Sequence, residues 1–280
     1  MHDRPPAPDA QLRLLLQRHG ICGATLRPAR GGLEHHLFHV HLPGGSAWFG
    51  KVPRAGYRDP HWPDRDPRQA LLVEDAALSH IASRCGAVGW IPRPYRFLDG
   101  DPPGALLGVV PGSPPEHTLL RRGMDLRLVA SICTEMGAML AEIHRVRRPT
   151  DPGRIPDLPG GPWPDPRLLH MDYHLGNVLG SFRLGFGWKL SGVVDWTCAH
   201  WGPREADVGE LGASLFATNP AFLDDFLAGY RSRTGVGLNR SLVFDFLVAE
   251  LERRLRDDSP DEPTIRNLWL ARIDEWSRAG

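Results

Sequence analysis

Two short stretches of the chain hold side chains whose types and spacing suit one kind of chemistry. The first, residues 170–177, reads HMDYHLGN, so that Asp172 is followed five positions later by Asn177. In the second, Asp195 ends the apolar run GVV and precedes Trp196. A carboxylate can accept or orient a hydroxyl proton, and carboxylate and amide oxygens are ligands that Mg²⁺ accepts. Together they would serve a reaction that depends on positioning a metal-bound polyphosphate.

Two other interpretations of these residues stay open from sequence alone. An aspartate and an asparagine five positions apart also occur by chance. His170, Asp172 and His174 alternate as metal ligands can, but a zinc site needs more ligands at a usable spacing, and the sequence offers none. The polyphosphate interpretation is favoured if the upstream half supplies a phosphate-binding cation and a carboxylate to hold it.

The upstream half predicts a sheet that could clamp a nucleotide. Strand-like runs at 22–27, 37–42 and 47–52 are separated by turns, and the first turn contains Gly31 and Gly32, where backbone amides could approach phosphates. This glycine signal is weak, because a full G-x-G-x-x-G is absent. The third strand holds Lys51.

The next predicted elements are a helix at 68–85 and strands at 91–98 and 105–110. Glu74, in the middle of the helix, could pair with Lys51, although an exposed carboxylate, or Asp75 in the same role, fits the sequence as well. Val109 and Val110 end the last strand at a hinge whose backbone could meet an adenine edge.

Lysine is scarce in this chain. Of 33 basic residues only Lys51 and Lys189 are lysines, and the others are arginines. A phosphate-binding lysine acts as a compact point charge that the arginine fork does not copy. Lys51 is therefore interpreted as functional, and Lys189, in a predicted exposed hairpin, as a chance survival.

Composition narrows the class of protein. The 280 residues are 41% hydrophobic and 24% charged with a formal net charge of zero, which is typical of a globular protein and argues against a dedicated nucleic-acid or anionic-membrane binder. No apolar run has membrane-spanning length. Four distant cysteines and the lack of an apolar leader predict a reduced, cytoplasmic protein. The remaining predicted elements are helices at 9–19, 126–146, 205–216, 221–230, 241–256 and 262–278.

The collected residues resemble the aminoglycoside phosphotransferase and choline kinase-like family, which has a protein-kinase-like fold. The resemblance runs from about Arg30 to Phe216 and is carried by HMDYHLGNVL at 170–179, GVVDW at 192–196 and GPREAD at 202–207. It implies an α+β, two-lobed fold. Residues 1–110 would form a small antiparallel sheet with a helix that clamps the nucleotide, and residues 111–280 a larger, mainly helical catalytic and acceptor-binding lobe.

The resemblance also implies roles for single residues. Asp172 would be the catalytic base, Asn177 and Asp195 would hold Mg²⁺, and Lys51 would reach the phosphates of ATP or GTP. Glu74 would orient Lys51. Asp207 would support the catalytic loop, for which His170 is a further candidate. The other candidates for the nucleotide site come from the sequence pattern described above and are Gly31, Gly32, Val109 and Val110. Met171, where the family usually has glycine, is expected to be tolerated.

The acceptor is expected to be a small molecule, because only 11 residues separate Asp195 from Asp207 and leave little room for an activation loop. Residues 204–280 hold 14 acidic and 10 basic residues, a net charge of −4. This could attract a cationic acceptor such as an aminoglycoside or a basic peptide antibiotic, whose phosphorylation would give resistance. Solvated helix faces explain the charges equally well. The candidate acceptor-binding residues are Asp224, Asp225, Glu250 and Asp258.

Two alternatives belong to other classes of function. One is a metabolite kinase of the choline or homoserine type. The other is a catalytically dead nucleotide-binding regulator, which the intact set Lys51, Asp172, Asn177 and Asp195 disfavours. The protein is expected to be a monomer or a homodimer, without nucleic-acid or membrane partners.

Overall fold

The N-terminal part is a five-stranded antiparallel sheet with helices on its two faces. A computed structural model of the chain describes residues 7–29, 32, 34–57, 65–86, 89–116, 119, 125–183, 187–257 and 263–279. The strands run in the order β1-β2-β3-β5-β4. Their bounds are Thr25–Pro28 (β1), His35–His41 (β2), Ala47–Pro53 (β3), Tyr95–Leu98 (β4) and Gly104–Gly108 (β5), and the two helices are Pro8–Arg18 (α1) and Pro67–Cys85 (α2).

Alternating side chains explain how the sheet takes a helix on each face. Phe38 and Val40 of β2 point to the α1 side and pack with leucines of that helix, as their period of two predicts. Leu107 of β5 points the other way and packs against Leu71 of α2. The two faces thus bury separate apolar clusters, and α2 lies on the face that leads to the rest of the chain.

The strands predicted at 91–98 and 105–110 have different bounds in the structure. The strand predicted at 91–98 pairs only from Tyr95, because Pro92 and Pro94 lack the N–H group that a ladder needs. The strand predicted at 105–110 ends at Gly108, two residues before the predicted lobe boundary at 110, which stays a prediction.

The C-terminal part is mainly helical and is built around α3, Leu126–Ile143. A long helix, Ala221–Thr234, packs closely along it. An ideal Cβ on Gly137 would lie 2.0 Å from the carbonyl oxygen of Phe226, and one on Gly229 would lie 2.1 Å from that of Thr134. The two helices can therefore approach this closely only because each has glycine at the crossing.

Two small antiparallel pairs carry the candidate site. β6, Arg167–Leu169, pairs with β9, His200–Gly202, and β7, Val178–Arg183, forms a hairpin with β8, Gly187–Val193. The catalytic stretch predicted from the sequence connects β6 to β7. Asp195 lies between β8 and β9.

The helix predicted at 205–216 is divided into three short pieces. They are a 3₁₀ turn Arg204–Val208, an α turn Gly209–Leu211 (α4) and a π turn Gly212–Phe216. The second and third pieces begin at Gly209 and Gly212, and glycine destabilises the interior of an α-helix. The remaining helices are α5, Ala221–Thr234, α6, Arg240–Asp257, and α7, Pro263–Ala279. Of the helices that the structure describes, none is long and apolar enough to cross a bilayer.

Candidate active site

Lys51 is the residue at which the N-terminal sheet meets the catalytic segment. Its Nζ atom lies 3.0 Å from Oε1 of Glu74 and 2.8 Å from Oδ1 of Asp195. Glu74 is completely buried and also accepts a hydrogen bond of 3.1 Å from the backbone N–H of Trp196. The predicted contact between Lys51 and Glu74 is therefore present, and Asp75 instead lies 3.8 Å from Arg93.

The three charges control one another's ionisation. Burial alone would lower the pKa of Lys51, but the negative charges of Asp195 and Glu74 outweigh burial and hold that pKa above its ordinary value. Burial would raise the pKa of Asp195, yet Lys51 keeps it well below its usual range. The pKa of Glu74 is raised, because its burial outweighs the attraction of Lys51. Lys51 and Asp195 are thus both charged at neutral pH.

Asp172 and Asn177 are hydrogen-bonded to each other within the loop that follows β6. The side-chain amide of Asn177 donates to Oδ2 of Asp172 at 2.7 Å and to its carbonyl oxygen at 2.9 Å. Nε2 of His174 lies 3.5 Å from Oδ1 of the same carboxylate. Burial would lower the pKa of His174, but Asp172 outweighs burial and raises it. The loop therefore fixes the carboxylate of Asp172 from two sides.

His170 joins this loop to the strand end that carries Asp195. Its Nε2 atom lies 3.0 Å from the carbonyl oxygen of Val194, and its Nδ1 atom accepts from the N–H of Asp172 at 3.3 Å. These contacts require the neutral tautomer with the proton on Nε2, and burial correspondingly lowers the pKa of His170. Because both nitrogens are engaged, the zinc interpretation fails; no group of three or more potential metal ligands occurs among the described residues.

Asp207 holds the backbone of the loop that follows β6 by hydrogen bonds to its carboxylate. Its carboxylate accepts from the N–H of His170 at 2.9 Å and from the N–H of Met171 at 2.6 Å, and Nε2 of His144 lies 3.0 Å from it. Met171 has φ of 61°, in the left-handed region that favours glycine. The hydrogen bond that the N–H of Met171 donates to Asp207 helps to hold Met171 in this conformation, which explains how the departure from glycine is accommodated.

The donor atoms near Asp195 fit a magnesium ion. Asp195 has φ of 65°, and the N–H of Val194 donates to the carbonyl oxygen of Asn177 at 2.9 Å, so that Asp195 and Asn177 lie on adjacent backbone segments. They supply a carboxylate and an amide oxygen. Mg²⁺ typically takes one or two such protein oxygens together with phosphate oxygens and water.

The structure describes three of the four other residues predicted for the nucleotide site, namely Gly32, Val109 and Val110. Gly32 has φ of 76°, and a Cβ there would lie 2.6 Å from the carbonyl oxygen of His35, so the turn requires glycine at this position. Val109 is 48% exposed, whereas Val110 is buried against Gly192, close to the strand that leads to Asp195. Gly31 lies outside the described residues.

The structure separates the residues predicted for acceptor binding. Glu250 lines a cavity of about 180 Å³ that Met171, Asp207 and Phe246 also line, directly behind the catalytic loop. Asp224 is exposed and lies 3.0 Å from Arg240, and it does not line this cavity, nor does Asp225. Asp258 lies outside the described residues.

Sequence reasoning missed several polar residues that surround the site. His144 supports Asp207, and its own Nδ1 atom lies 3.0 Å from the hydroxyl of Tyr230. Thr197 donates to Oδ1 of Asp195 at 3.0 Å, and Arg65 donates to the carbonyl oxygen of Thr197 at 2.7 Å. His144 falls within the helix predicted at 126–146, but no motif marks its polar contacts, and Arg65 comes from a loop without any motif.

Comparison with known proteins finds a similar family. Residues 158–240 match the model of the phosphotransferase enzyme family APH, and they include Asp172, Asn177, Asp195 and Asp207. This segment is similar to the phosphotransferase enzyme family. The resemblance predicted from the sequence is thereby confirmed. No curated protein matches the chain.

Solved structures of macrolide and aminoglycoside phosphotransferases share the fold. Macrolide 2′-phosphotransferase MphH from Brachybacterium faecium is 17% identical and has a TM-score of 0.57, with 94% of this chain and 98% of that chain covered. The GDP complex of aminoglycoside 2′-phosphotransferase-IIIa is 13% identical, with a TM-score of 0.61 and coverage of 98% and 99%. The ternary complex of APH(2″)-IIa with streptomycin and ATP is 12% identical, with a TM-score of 0.55 and coverage of 97% of each chain. The predicted α+β kinase-like fold is confirmed.

Proposed function

We propose that the protein transfers the terminal phosphoryl group of a nucleoside triphosphate, ATP in the first instance, to a hydroxyl group of a small molecule. The observation that carries this proposal is the position of Lys51, whose Nζ atom contacts Glu74 at 3.0 Å and Asp195 at 2.8 Å. A buried lysine fixed between a helix carboxylate and a second carboxylate at a strand end is the arrangement that kinase-type phosphoryl transfer needs.

The chain's residues divide the work of binding and alignment. Lys51 would bind nucleotide phosphates while Glu74 keeps its Nζ atom in place. Asp195 and Asn177 would hold Mg²⁺, which would neutralise phosphate charge when bound. The ion pair between Lys51 and Asp195 would loosen as the nucleotide enters, because each partner gains an oppositely charged neighbour.

Asp172 would act on the acceptor. Its carboxylate, held by Asn177 and His174, would orient the acceptor hydroxyl and accept its proton as the oxygen bonds to the terminal phosphorus. The bond from that phosphorus to the leaving nucleoside diphosphate breaks in the same step. Since the transition state of such transfers is loose, alignment contributes more than proton removal.

For the acceptor we propose an amine-bearing antibiotic with a free hydroxyl group, an aminoglycoside first and a macrolide second, so that phosphorylation would give resistance. Structures with the same fold act on macrolides and aminoglycosides. The excess of acidic residues between 204 and 280 would attract a cation, and Glu250 lies on the cavity behind the catalytic loop.

A metabolite kinase of the choline or homoserine type is the second candidate, and one observation favours it. Glu250 already binds Arg253 at 2.8 Å and Arg254 at 2.6 Å. A carboxylate that is already paired attracts a polycation less, so a singly charged or neutral acceptor would fit as well. A regulator without activity is disfavoured, because the chemical groups are both present and in contact.

The test is a panel of hydroxyl compounds screened for acceptor-dependent release of nucleoside diphosphate. It should include an aminoglycoside, a macrolide, choline and homoserine. The proposed acceptor class predicts turnover of an amine-bearing antibiotic and a rise in its KM as salt shortens the Debye length from about 10 Å at 0.1 M to about 3 Å at 1 M. Turnover of choline or homoserine alone would select the second candidate.

A matched pair of variants tests the role of Glu250. Glu250→Gln should raise the acceptor KM and leave the nucleotide KM unchanged. Asp274→Asn, which removes an exposed carboxylate paired with Arg278 on α7, should change neither. Equal behaviour of the two variants would show that Glu250 belongs to a solvated or structural ion-pair network only.

A further inference from the structure

His35, the first residue of β2, is buried and has no hydrogen-bond partner among the residues that the structure describes. Only 1% of the residue is exposed, and within that part of the chain neither Nδ1 nor Nε2 of its ring is paired. The nearest carboxylate oxygen, Oε2 of Glu34, lies 3.7 Å from Nδ1, which is too far for a hydrogen bond. A buried polar group without a partner destabilises the free protein, and such a group calls for an explanation.

The surroundings of His35 are those of the proposed phosphate site. In the sheet it lies opposite Pro53, two residues beyond Lys51 on the neighbouring strand. Both Lys51 and Asp195 are close enough to influence its ionisation electrostatically. A Cβ on Gly32, in the turn that precedes β2, would lie 2.6 Å from the carbonyl oxygen of His35. The backbone of His35 therefore lies against the glycine turn, and its ring is within electrostatic range of the residues proposed to hold phosphate and metal.

The backbone next to His35 is anchored to the Asp195 side of the site. Glu34 accepts a hydrogen bond of 2.9 Å from Arg65, and its Oε2 atom lies 3.3 Å from the hydroxyl of Thr197. The same hydroxyl lies 3.0 Å from Asp195. The position of residue 34 is thus fixed from the opposite side of the site, and His35 is held facing the same region.

We infer that His35 is a phosphate-contacting residue of the nucleotide site, whose ring N–H donates to a phosphate oxygen when nucleotide binds. The inference rests on the proposed function. Burial, aided by the positive charge of Lys51, lowers the pKa of His35 to about 3, so the ring is neutral and keeps one donor and one acceptor nitrogen. A phosphate oxygen would supply the acceptor that the protein itself does not.

The test measures nucleotide binding and thermal stability in the same variants. His35→Leu removes both ring nitrogens, and His35→Asn keeps an N–H donor. His41→Leu, an exposed histidine at the other end of β2, is the matched control. Binding of MgATP, MgADP and adenosine is measured by calorimetry without any acceptor, and Tm is measured without nucleotide.

We expect His35→Leu to weaken MgATP binding at least tenfold, the size typical of a hydrogen bond to a charged group. Its Tm should stay equal or rise, because an unpaired polar group has been replaced by an apolar one. Adenosine binding should be unchanged, His35→Asn should lie between wild type and His35→Leu, and His41→Leu should match wild type. Comparison of MgATP with MgADP locates the contact at the terminal phosphate or at an inner one.

Two results would overturn the inference. If His35→Leu binds MgATP as the wild type does, His35 does not contact phosphate, whatever happens to Tm; the proposed function then still stands. If the wild-type protein itself binds no nucleotide, the proposed function fails and the inference fails with it.

Discussion

The substitution Asp207→Asn should damage both stability and catalysis, although Asp207 is not proposed to touch substrate. Its carboxylate is 1% exposed and contacts the N–H groups of His170 and Met171 and the ring of His144. An amide has the same shape but only one acceptor oxygen. Its NH₂ group would face at least one backbone N–H that the carboxylate now satisfies.

The expected cost follows from these contacts. Leaving a buried donor unsatisfied costs about 1–3 kcal/mol, and the loss of hydrogen bonds to a charged acceptor lies in the same range. We therefore expect a loss of about 3 kcal/mol in the free energy of unfolding. For a domain of this size 1 kcal/mol lowers Tm by about 2–4 °C, so Tm should fall by about 6–12 °C. Because Asp172 follows Met171 directly, kcat should fall by about 10²-fold if the loop shifts by about 1 Å.

The assay compares this variant with Asp224→Asn by thermal unfolding and by single-acceptor kinetics. Asp224 is exposed and paired with Arg240 at 3.0 Å, and surface pairs of this kind contribute about 0–1 kcal/mol. Asp224→Asn should therefore keep nearly the wild-type Tm and kcat. If Asp207→Asn has the same Tm as Asp224→Asn and retains the wild-type kcat, Asp207 does not support the catalytic loop as described.

Four further predictions concern the site and its packing. Lys51→Arg should not restore activity even in this arginine-rich chain, because the larger planar fork places phosphates differently; wild-type kinetics in that variant would contradict the role of Lys51. Asp172→Asn should lower kcat by about 10²-fold, at the low end for a general base, and leave calorimetric nucleotide affinity unchanged. Gly229→Ala should cost about 1–3 kcal/mol in urea unfolding, because its Cβ would meet the carbonyl oxygen of Thr134. Lys51 keeps the pKa of Asp195 low against its burial. The stabilisation of the fold by this ion pair should therefore be full above about pH 4 and should fall as the pH drops below that value. Lys51→Met should flatten the acidic part of a plot of the urea midpoint against pH.

Local patterns predicted most elements of the fold, because their signals are carried by neighbouring residues. The alternation of Phe38 and Val40 marked β2, and the leucines of α1 marked the helix that covers it. The pairing of β6 with β9 was not predicted, since three-residue strands far apart in sequence leave no periodic signal. The division of 204–216 into three helical types was not predicted, although Gly209 and Gly212, where the second and third pieces begin, are visible in the sequence.

The candidate site was predictable where a motif names residues and unpredictable where the fold alone brings residues together. Lys51 stood out because lysine is scarce, whereas only the resemblance favoured Glu74 over Asp75 as its partner. Arg65, Thr197 and Glu34 meet only after residues more than a hundred positions apart have come together. The unpaired state of the His35 ring among the described residues could not be predicted either, because it depends on which residues surround the ring in the folded chain.

We propose above all that Lys51 and Asp195 form a magnesium-dependent nucleotide site from which a phosphoryl group is transferred to an acceptor hydroxyl. The most direct measurement is acceptor-dependent ADP formation by wild type and Asp195→Ala, each with Mg²⁺ and with excess EDTA, after circular dichroism has shown that both are folded. We predict turnover only in the wild type with Mg²⁺, and mass spectrometry should find one phosphate added to the acceptor. Full turnover in EDTA, or in folded Asp195→Ala, would contradict the account.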